Sequence, residues 1–307
     1  MRLRLLQAIL SLKLGISFLA GASEFEIHSI DCSDWMETVV RIPRNKKNFQ
    51  WREIPGSSKD WSPDLRVKVE SLLGRAHDLV PVGEHAHVWT EKIAGVQIAF
   101  LRADSVGELG HILIRPSQLF ESPNPAFRWA ANQAFNRRDL RSWYEESKNI
   151  SGRFWNSFVG YNIPHQAFRS LDSGNFNFLS FEEIQLIQKL KELKLWDSEF
   201  FLVGFTPHVT EVDSTEVFLH ELAHSLFWGN PAYREEIKDL LKKLPSSLEK
   251  KMDRFLTHSG YAQDVFEDET HAWLLAGPNF SLKITRNEKS KILKMRKKLL
   301  KILEKFL

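Results

Sequence analysis

The stretch VFLHELAHSLFW occupies residues 217–228 of this 307-residue chain. It contains two histidines, His220 and His224, and Glu221 directly follows the first of them. Residues four positions apart lie on the same face of an α-helix, one turn above each other. If the stretch is helical, both imidazoles can therefore bind one metal ion, with Glu221 beside them to act on a metal-bound water.

The residues around this motif predict a buried helix. Asp213, Ser214 and Thr215 are residue types that cap helix N-termini, and Gly229 and Pro231 are typical of a helix end. Nearly every other position between them is apolar, so the helix is expected to be buried on all sides. Histidines and a glutamate on such a helix need a partner, because uncompensated buried charge is costly. A metal ion is the predicted partner; the alternative is a core helix whose histidines bond to neighbouring groups.

A catalytic zinc site usually has three protein ligands and one open position, so a third ligand is needed. Residues 261–276 predict a second helix, on which Glu269 is the one charged residue of an otherwise apolar stripe. A single carboxylate on an inward stripe suits a ligand helix, so we predict Glu269 as the third ligand. Glu267 is the alternative, although it belongs to a more polar face. That face comprises Gln263, Asp264, Glu267, Thr270 and His271.

The two motifs together resemble the gluzincin group of zinc metallopeptidases. In that group, HExxH is followed tens of residues later by a helix with a Glu ligand and, three residues on, an Ala. Glu269 and Ala272 match this pattern, and the resemblance covers roughly residues 200–277. In thermolysin-like members a carboxylate four residues after the Glu ligand orients a ligand histidine. Trp273 stands at that position here, so this support is missing or comes from elsewhere.

The resemblance implies an α+β, zincin-like fold: a small mixed sheet packed on the active-site helix, and a mainly helical C-terminal part. It also implies Zn²⁺ as the cofactor and a tyrosine near the active site that stabilises the oxyanion. Tyr261 is the predicted donor, with His258 and His271 as alternatives, and a packing or surface role is the other possibility for each of the three. The extended metzincin motif HExxHxxGxxH is absent, because Phe227 and Asn230 replace its Gly and its third His.

Composition limits the classes of function that remain. An apolar share of 43% is enough for a substantial core, and the ten Trp and 22 Phe suggest aromatic packing or a substrate groove. The net charge of +3 is uneven: residues 281–307 carry +8 and residues 1–22 carry +3, which leaves −8 for the middle. An acidic body with basic ends does not indicate a nucleic-acid partner.

Residues 1–22 predict a signal peptide. A short basic start, an apolar run and an A-x-A cleavage site follow one another as Arg2, Arg4, Leu5–Leu19 and Ala20-Gly21-Ala22. An amphipathic N-terminal helix is the alternative. Cys32 is the single cysteine, so no internal disulfide can form. An exported protein without disulfides is more typical of the bacterial periplasm or cell envelope than of a eukaryotic secretory route.

Ser122-Pro123-Asn124-Pro125 predicts a boundary between an N-terminal β-containing region, 23–121, and a catalytic region, 122–280. Val96–Leu101 and His111–Arg115 predict strands that could pair. In gluzincin-like folds an exposed edge strand above the zinc binds the substrate backbone. His111–Arg115 is the candidate for that strand, and an ordinary interior strand is the alternative. Residues 23–121 could be a propeptide, a substrate module or part of one fold.

Further along the chain, residues 151–178 carry no clear pattern and are predicted to be irregular. A capping box at Ser180–Glu183 predicts a helix that continues to about Leu195. The apolar run Glu199–Phe205 predicts a buried strand. Helix, strand, metal helix and ligand helix is the order expected of a zincin core.

Residues 281–307 predict a basic amphipathic helix with apolar residues on one face and lysines on the other. Such a helix could make a peripheral contact with an anionic membrane. It could equally pack on the protein as a terminal helix.

The predicted function is therefore zinc-dependent hydrolysis of peptide bonds in a peptide or protein substrate. His220, His224 and Glu269 would bind Zn²⁺, and zinc lowers the pKa of its water to about 7. Glu221 would accept a proton from that water as general base. Two alternatives remain: a zinc hydrolase of a non-protein amide, such as one in the cell wall, and a non-enzymatic envelope protein that binds peptides or membrane. The oligomeric state has no sequence signal.

Overall fold

The computed structural model describes residues 61–74, 79–122, 124–127, 135–148, 158–173, 179–207, 214–259, 261, 263–276 and 285–307. Within these residues the fold is α+β, as predicted. The strands are β1 (Val80–Val82), β2 (Ala86–Ile93), β3 (Val96–Ala103), β4 (Gly160–Pro164) and β5 (Phe201–Phe205). The α-helices are α1 (Pro63–Gly74), α2 (Val106–Glu121), α3 (Arg137–Lys148), α4 (His165–Asp172), α5 (Phe181–Glu192), α6 (Ser214–Gly229), α7 (Pro231–Leu241), α8 (Ser246–Ser259), α9 (Phe266–Ala276) and α10 (Arg286–Phe306).

The five strands form one mixed sheet in the order β1-β2-β3-β5-β4. β3 and β5 are parallel, and the other neighbouring pairs are antiparallel. Successive residues of a strand point to opposite faces of a sheet. On β3, Ile98 and Phe100 face one apolar core and Ala99 and Leu101 face a second one. The sheet therefore lies between two helical layers, and α6, which carries the HExxH motif, packs in the first core.

His111–Arg115 is not a strand, and the prediction that it pairs with Val96–Leu101 is wrong. It lies inside α2, whose N-terminus is capped by Ser105: the backbone N–H of Glu108 donates to the Ser105 side chain. Buried apolar residues recur at helical spacing from Leu109 onward, so one side of α2 packs in the second core. A short run such as HILIR fits a strand and a buried helix equally well by apolar pattern alone. The strand Val96–Leu101 itself is confirmed within β3.

The sheet crosses the predicted boundary at residues 122–125. β3, which precedes the boundary, pairs with β5, which follows it, from Ile98↔Phe201 to Arg102↔Phe205. Strand pairing of this kind requires both segments to fold together. The described part of region 23–121 is therefore an integral part of the same fold, which was one of the three options left open. Residues 23–60 and the predicted signal peptide lie outside the described residues.

The helix α10 packs on the protein, as one of the two alternatives predicted. Its apolar side enters the first core through Ile292, Met295, Leu299, Leu300 and Leu303. Arg296 is 2% exposed, and its side chain donates to the carbonyls of Leu275 and Ala276 at the C-terminus of α9. A cation at that position satisfies carbonyls that a helix end leaves without partners. Among the described helices, none combines the length and apolar character that crossing a bilayer requires.

Candidate metal centre

The helix α6 presents both histidines of the motif to one point. It begins at Ser214, as the capping residues predicted, and is buried along most of its length. His220 and His224 lie one turn apart, with their Nε2 atoms 3.1 Å from each other. The side chain of His220 is 12% exposed and that of His224 is 6% exposed. Both imidazoles are therefore largely withdrawn from solvent.

The helix α9 supplies the carboxylate that was predicted as the third ligand. Glu269 is buried, and its oxygens lie 3.7 Å from the Nε2 atoms of both His220 and His224. One ligand atom from each residue lies within 4.8 Å of the other two. Within the described residues, this is the one group of His, Cys, Asp and Glu side chains with that geometry. Glu267, the alternative, is exposed and lies 3.7 Å from Lys238.

The three side chains fit a divalent metal ion. Metal–ligand bonds of about 2.0–2.2 Å in a tetrahedral site place the ligand atoms roughly 3.3–3.5 Å apart. The two Nε2 atoms lie 3.1 Å apart, and each lies 3.7 Å from a different oxygen of Glu269, Oε2 for His220 and Oε1 for His224. With one ligand atom taken from each residue, all three lie within 4.8 Å of one another. Two imidazole nitrogens and a carboxylate oxygen also form a common donor set for zinc. The geometry shows that a metal ion can bind here, and the donor set does not by itself fix which metal.

The two histidines of the motif have opposite pKa shifts, because the nearby carboxylates act mainly on His224. Burial lowers the pKa of His220 well below its ordinary value, and the nearby His224 and His271 act in the same direction. Burial also acts to lower the pKa of His224, but the carboxylates of Asp268, Glu269 and Glu221 outweigh it and raise that pKa well above its ordinary value. Only a neutral imidazole can be a ligand, so a proton and a metal ion compete for His224.

Asp268 lies within ion-pair distance of His224, a contact that the sequence analysis does not predict. His224 Nδ1 lies 2.9 Å from Asp268 Oδ1, and the Trp228 indole N–H donates to Asp268 Oδ2 at 2.6 Å. A ligand histidine commonly gives its second ring nitrogen to a carboxylate, which fixes the tautomer and makes the ligand more basic. If His224 binds a metal ion, Asp268 is therefore placed to give the support that Trp273 does not provide. Apolar residues four and seven positions later, Ala272 and Leu275, were the sequence signal that this side chain points inward.

Asp268→Asn is expected to weaken metal affinity by about 10–100-fold, the usual cost of losing such an outer partner. Asn keeps the shape of the side chain but removes the charge that stabilises the Nδ1 proton of His224. Competition with a chelating dye would measure the change. Glu267→Gln removes a carboxylate from the exposed side of the same helix and should leave affinity unaltered. Equal affinities for the wild type and Asp268→Asn would contradict the assigned role.

Glu221 lies between the histidines on α6 and is held close to β4. A Cβ atom on Gly160 would come within 2.5 Å of Glu221 Oε1, so the strand can approach this carboxylate only because residue 160 is Gly. Two residues further along β4, the Asn162 side chain donates to the Glu221 carbonyl at 2.9 Å and contacts Ser225 Oγ. The start of β4 and the face of α6 that carries Glu221 are thereby fixed relative to each other.

The three candidates for oxyanion donor lie in different surroundings. Tyr261 is half-buried in the segment between α8 and α9, where its backbone N–H donates to the Leu256 carbonyl. Its catalytic role stays a prediction. His258 is exposed near the end of α8. His271 was placed on a polar face, and that placement is wrong: its side chain is fully buried, and its ring stacks on Phe227. Burial lowers the pKa of His271 to about 4.

Comparisons of this chain with models of protein families, with curated proteins and with solved structures find no match.

Proposed function

We propose that this protein is a zinc-dependent metallopeptidase that hydrolyses peptide bonds. The observation that carries the proposal is the convergence of His220, His224 and Glu269. Glu221 lies on the same helix as the two histidines. Zn²⁺ suits two imidazoles and one carboxylate and leaves a position for a reacting group. The gluzincin resemblance of the two motifs favours peptide bonds over other amides. Export through the predicted signal peptide, residues 1–22, belongs to the same proposal.

The chemistry proposed for Glu221 is proton transfer. Zinc held by three protein ligands supplies a Lewis acid that makes water nucleophilic near neutral pH and polarises the substrate carbonyl. The carboxylate of Glu221 accepts the proton of the attacking water and delivers it to the leaving amine. Glu221 is 9% exposed, so little bulk water competes for it. Tyr261 is the proposed donor to the oxyanion, a role that requires a hydroxyl directed at the reacting carbonyl.

A zincin-like arrangement is proposed for the fold because of the position of β4. This strand ends the sheet, runs antiparallel to β5 and approaches Glu221 at Gly160. A strand at a sheet edge can bind an extended peptide by adding it as a further strand. His111–Arg115 cannot have this role, because it lies in α2, and β4 is buried from Tyr161 to Pro164, so only Gly160 is accessible at this end of the sheet.

Incubating the purified protein with a mixed peptide library tests the proposed function. We expect cleavage products that disappear after dialysis against a zinc chelator and reappear when Zn²⁺ is returned, because the proposed reaction needs the metal. Mass spectrometry of the library would detect them. A second incubation with cell-wall fragments tests the non-protein alternative. Hydrolysis of those fragments alone would overturn the choice of substrate, and a protein that takes up no zinc would overturn the proposal itself.

A further inference from the structure

The outer side of α10 carries a dense row of lysines. The lysine face consists of five exposed side chains: Lys291, Lys294, Lys297, Lys298 and Lys301. Four of them follow one another at spacings of three and four residues, so they form one line along the helix. At 1.5 Å per residue this line is about 15 Å long. Within the part of the chain that the structure describes, none of the five forms an ion pair.

The charge pattern of this face is unusual for a solvated helix. Exposed helix faces commonly mix charges of both signs. Here no acidic residue occurs between Glu288 and Glu304. Like charges three or four residues apart destabilise a helix. Repulsion within the lysine face therefore lowers the stability of α10. A role in binding explains why these lysines are nevertheless grouped on one face.

Acidic residues of the neighbouring helix α7 do not neutralise this face. Glu236 and Asp239 line a shallow groove together with Lys298 and Lys301. Each of these acids already has a partner, because Glu236 pairs with Lys305 and Asp239 pairs with Lys242. Lys298 and Lys301 therefore keep their positive charge, as the other lysines of the face do.

The apolar side of α10 cannot take part in binding a surface. Its leucines lie in the first core, and Arg296 joins the helix to the end of α9. Turning this side outward would expose the core. Contact through the helix must therefore be electrostatic, without insertion of apolar residues into a bilayer.

We propose that the lysine face binds the surface of an anionic phospholipid membrane. Lysine ammonium groups are compact point charges that suit a diffuse layer of anionic headgroups. Nucleic acid fits less well: residues 286–305 include no aromatic side chain for base stacking, and arginine, the side chain best suited to phosphate forks, is largely missing. The net charge of −8 in the middle of the chain also disfavours a nucleic-acid partner.

Co-sedimentation of the full-length protein with phospholipid vesicles tests this proposal. We expect binding to phosphatidylcholine vesicles that contain phosphatidylserine, no binding to phosphatidylcholine alone, and loss of binding at high salt. The triple variant Lys291→Gln, Lys294→Gln, Lys298→Gln should bind roughly a hundred-fold more weakly, because each lysine contributes about five-fold. The control triple Lys92→Gln, Lys189→Gln, Lys191→Gln removes the same charge elsewhere and should bind like the wild type.

Three results would overturn the proposal. The first is absence of binding to anionic vesicles at low salt. The second is an equal loss of binding in both triple variants, which would mean that net charge alone is responsible. The third is binding to a DNA duplex that is stronger than binding to vesicles and is lost in the first triple, which would make nucleic acid the partner. Circular dichroism of each variant shows whether α10 still folds, and zinc content is independent of all three results.

Discussion

Glu221→Gln is expected to lower peptide hydrolysis by about 10²–10⁴-fold, the contribution of a general base, while leaving zinc content unchanged. Gln has the same shape as Glu but cannot accept a proton at neutral pH. The ligand atoms of His220, His224 and Glu269 are not altered by the change. Turnover of a peptide found in the library experiment, measured beside elemental analysis of the same sample, would check both halves of the expectation.

A matched control separates this effect from a general loss of negative charge. Glu267→Gln makes the same chemical change at an exposed position on α9 and is expected to keep wild-type turnover. A Glu221→Gln protein with normal turnover would show that another group accepts the proton. Loss of zinc in that variant would instead show that Glu221 supports the metal site. The two outcomes are distinguished by the metal measurement.

The grouping of His220, His224 and Glu269 could be predicted from sequence because helical spacing converts directly into geometry. His220 and His224 are four residues apart on a helix with clear start and end signals, so their relative position depends on one local structure. Glu269 required one further step, the choice of the inward stripe of a second helix. Periodicity alone places His271 on the same face as Glu267, but His271 is fully buried because other elements pack over that part of α9.

The parts that sequence could not provide depend on contacts between distant segments. Residues 151–178 were predicted to be irregular, yet Gly160–Pro164 forms the edge strand β4. Its sequence, GYNIP, contains both Gly and Pro, which are depleted in strands and tolerated at sheet edges. The need for Gly160 becomes visible only when Glu221 is placed beside it. Likewise, the run HILIR gave no local sign that it would form part of a helix beside the sheet and not a strand within it.

Burying several ionisable groups at one point has a consequence for folding. Asp268, Glu269 and His224 are each at most 6% exposed in their side chains. Bringing such charges out of water is unfavourable unless they are paired, and a bound metal ion would compensate the charge of the carboxylates while the neutral imidazoles act as ligands. Binding of metal to the folded state alone raises stability by mass action. Folding and metal binding are thus expected to be coupled through these residues.

Glu269→Ala is expected to remove the metal from the protein. The variant deletes one of three ligands, so affinity should fall by more than the roughly 10–100-fold that loss of an outer partner causes. After dialysis against metal-free buffer, elemental analysis should find zinc in the wild type and none in Glu269→Ala. Glu267→Ala, which makes the same truncation two residues away on the exposed side, should keep its zinc.

Thermal unfolding of the same proteins tests whether Glu269→Ala loses the metal ion while keeping its fold. Added Zn²⁺ should raise the Tm of the wild type and of Glu267→Ala but not that of Glu269→Ala, because only a protein that binds the ion gains stability from it. If Glu267→Ala loses zinc and Glu269→Ala retains it, the third ligand is Glu267 and α9 must turn in solution. If the folded wild type takes up no zinc at all, α6 is a core helix, and the non-enzymatic binding protein becomes the better account of this chain.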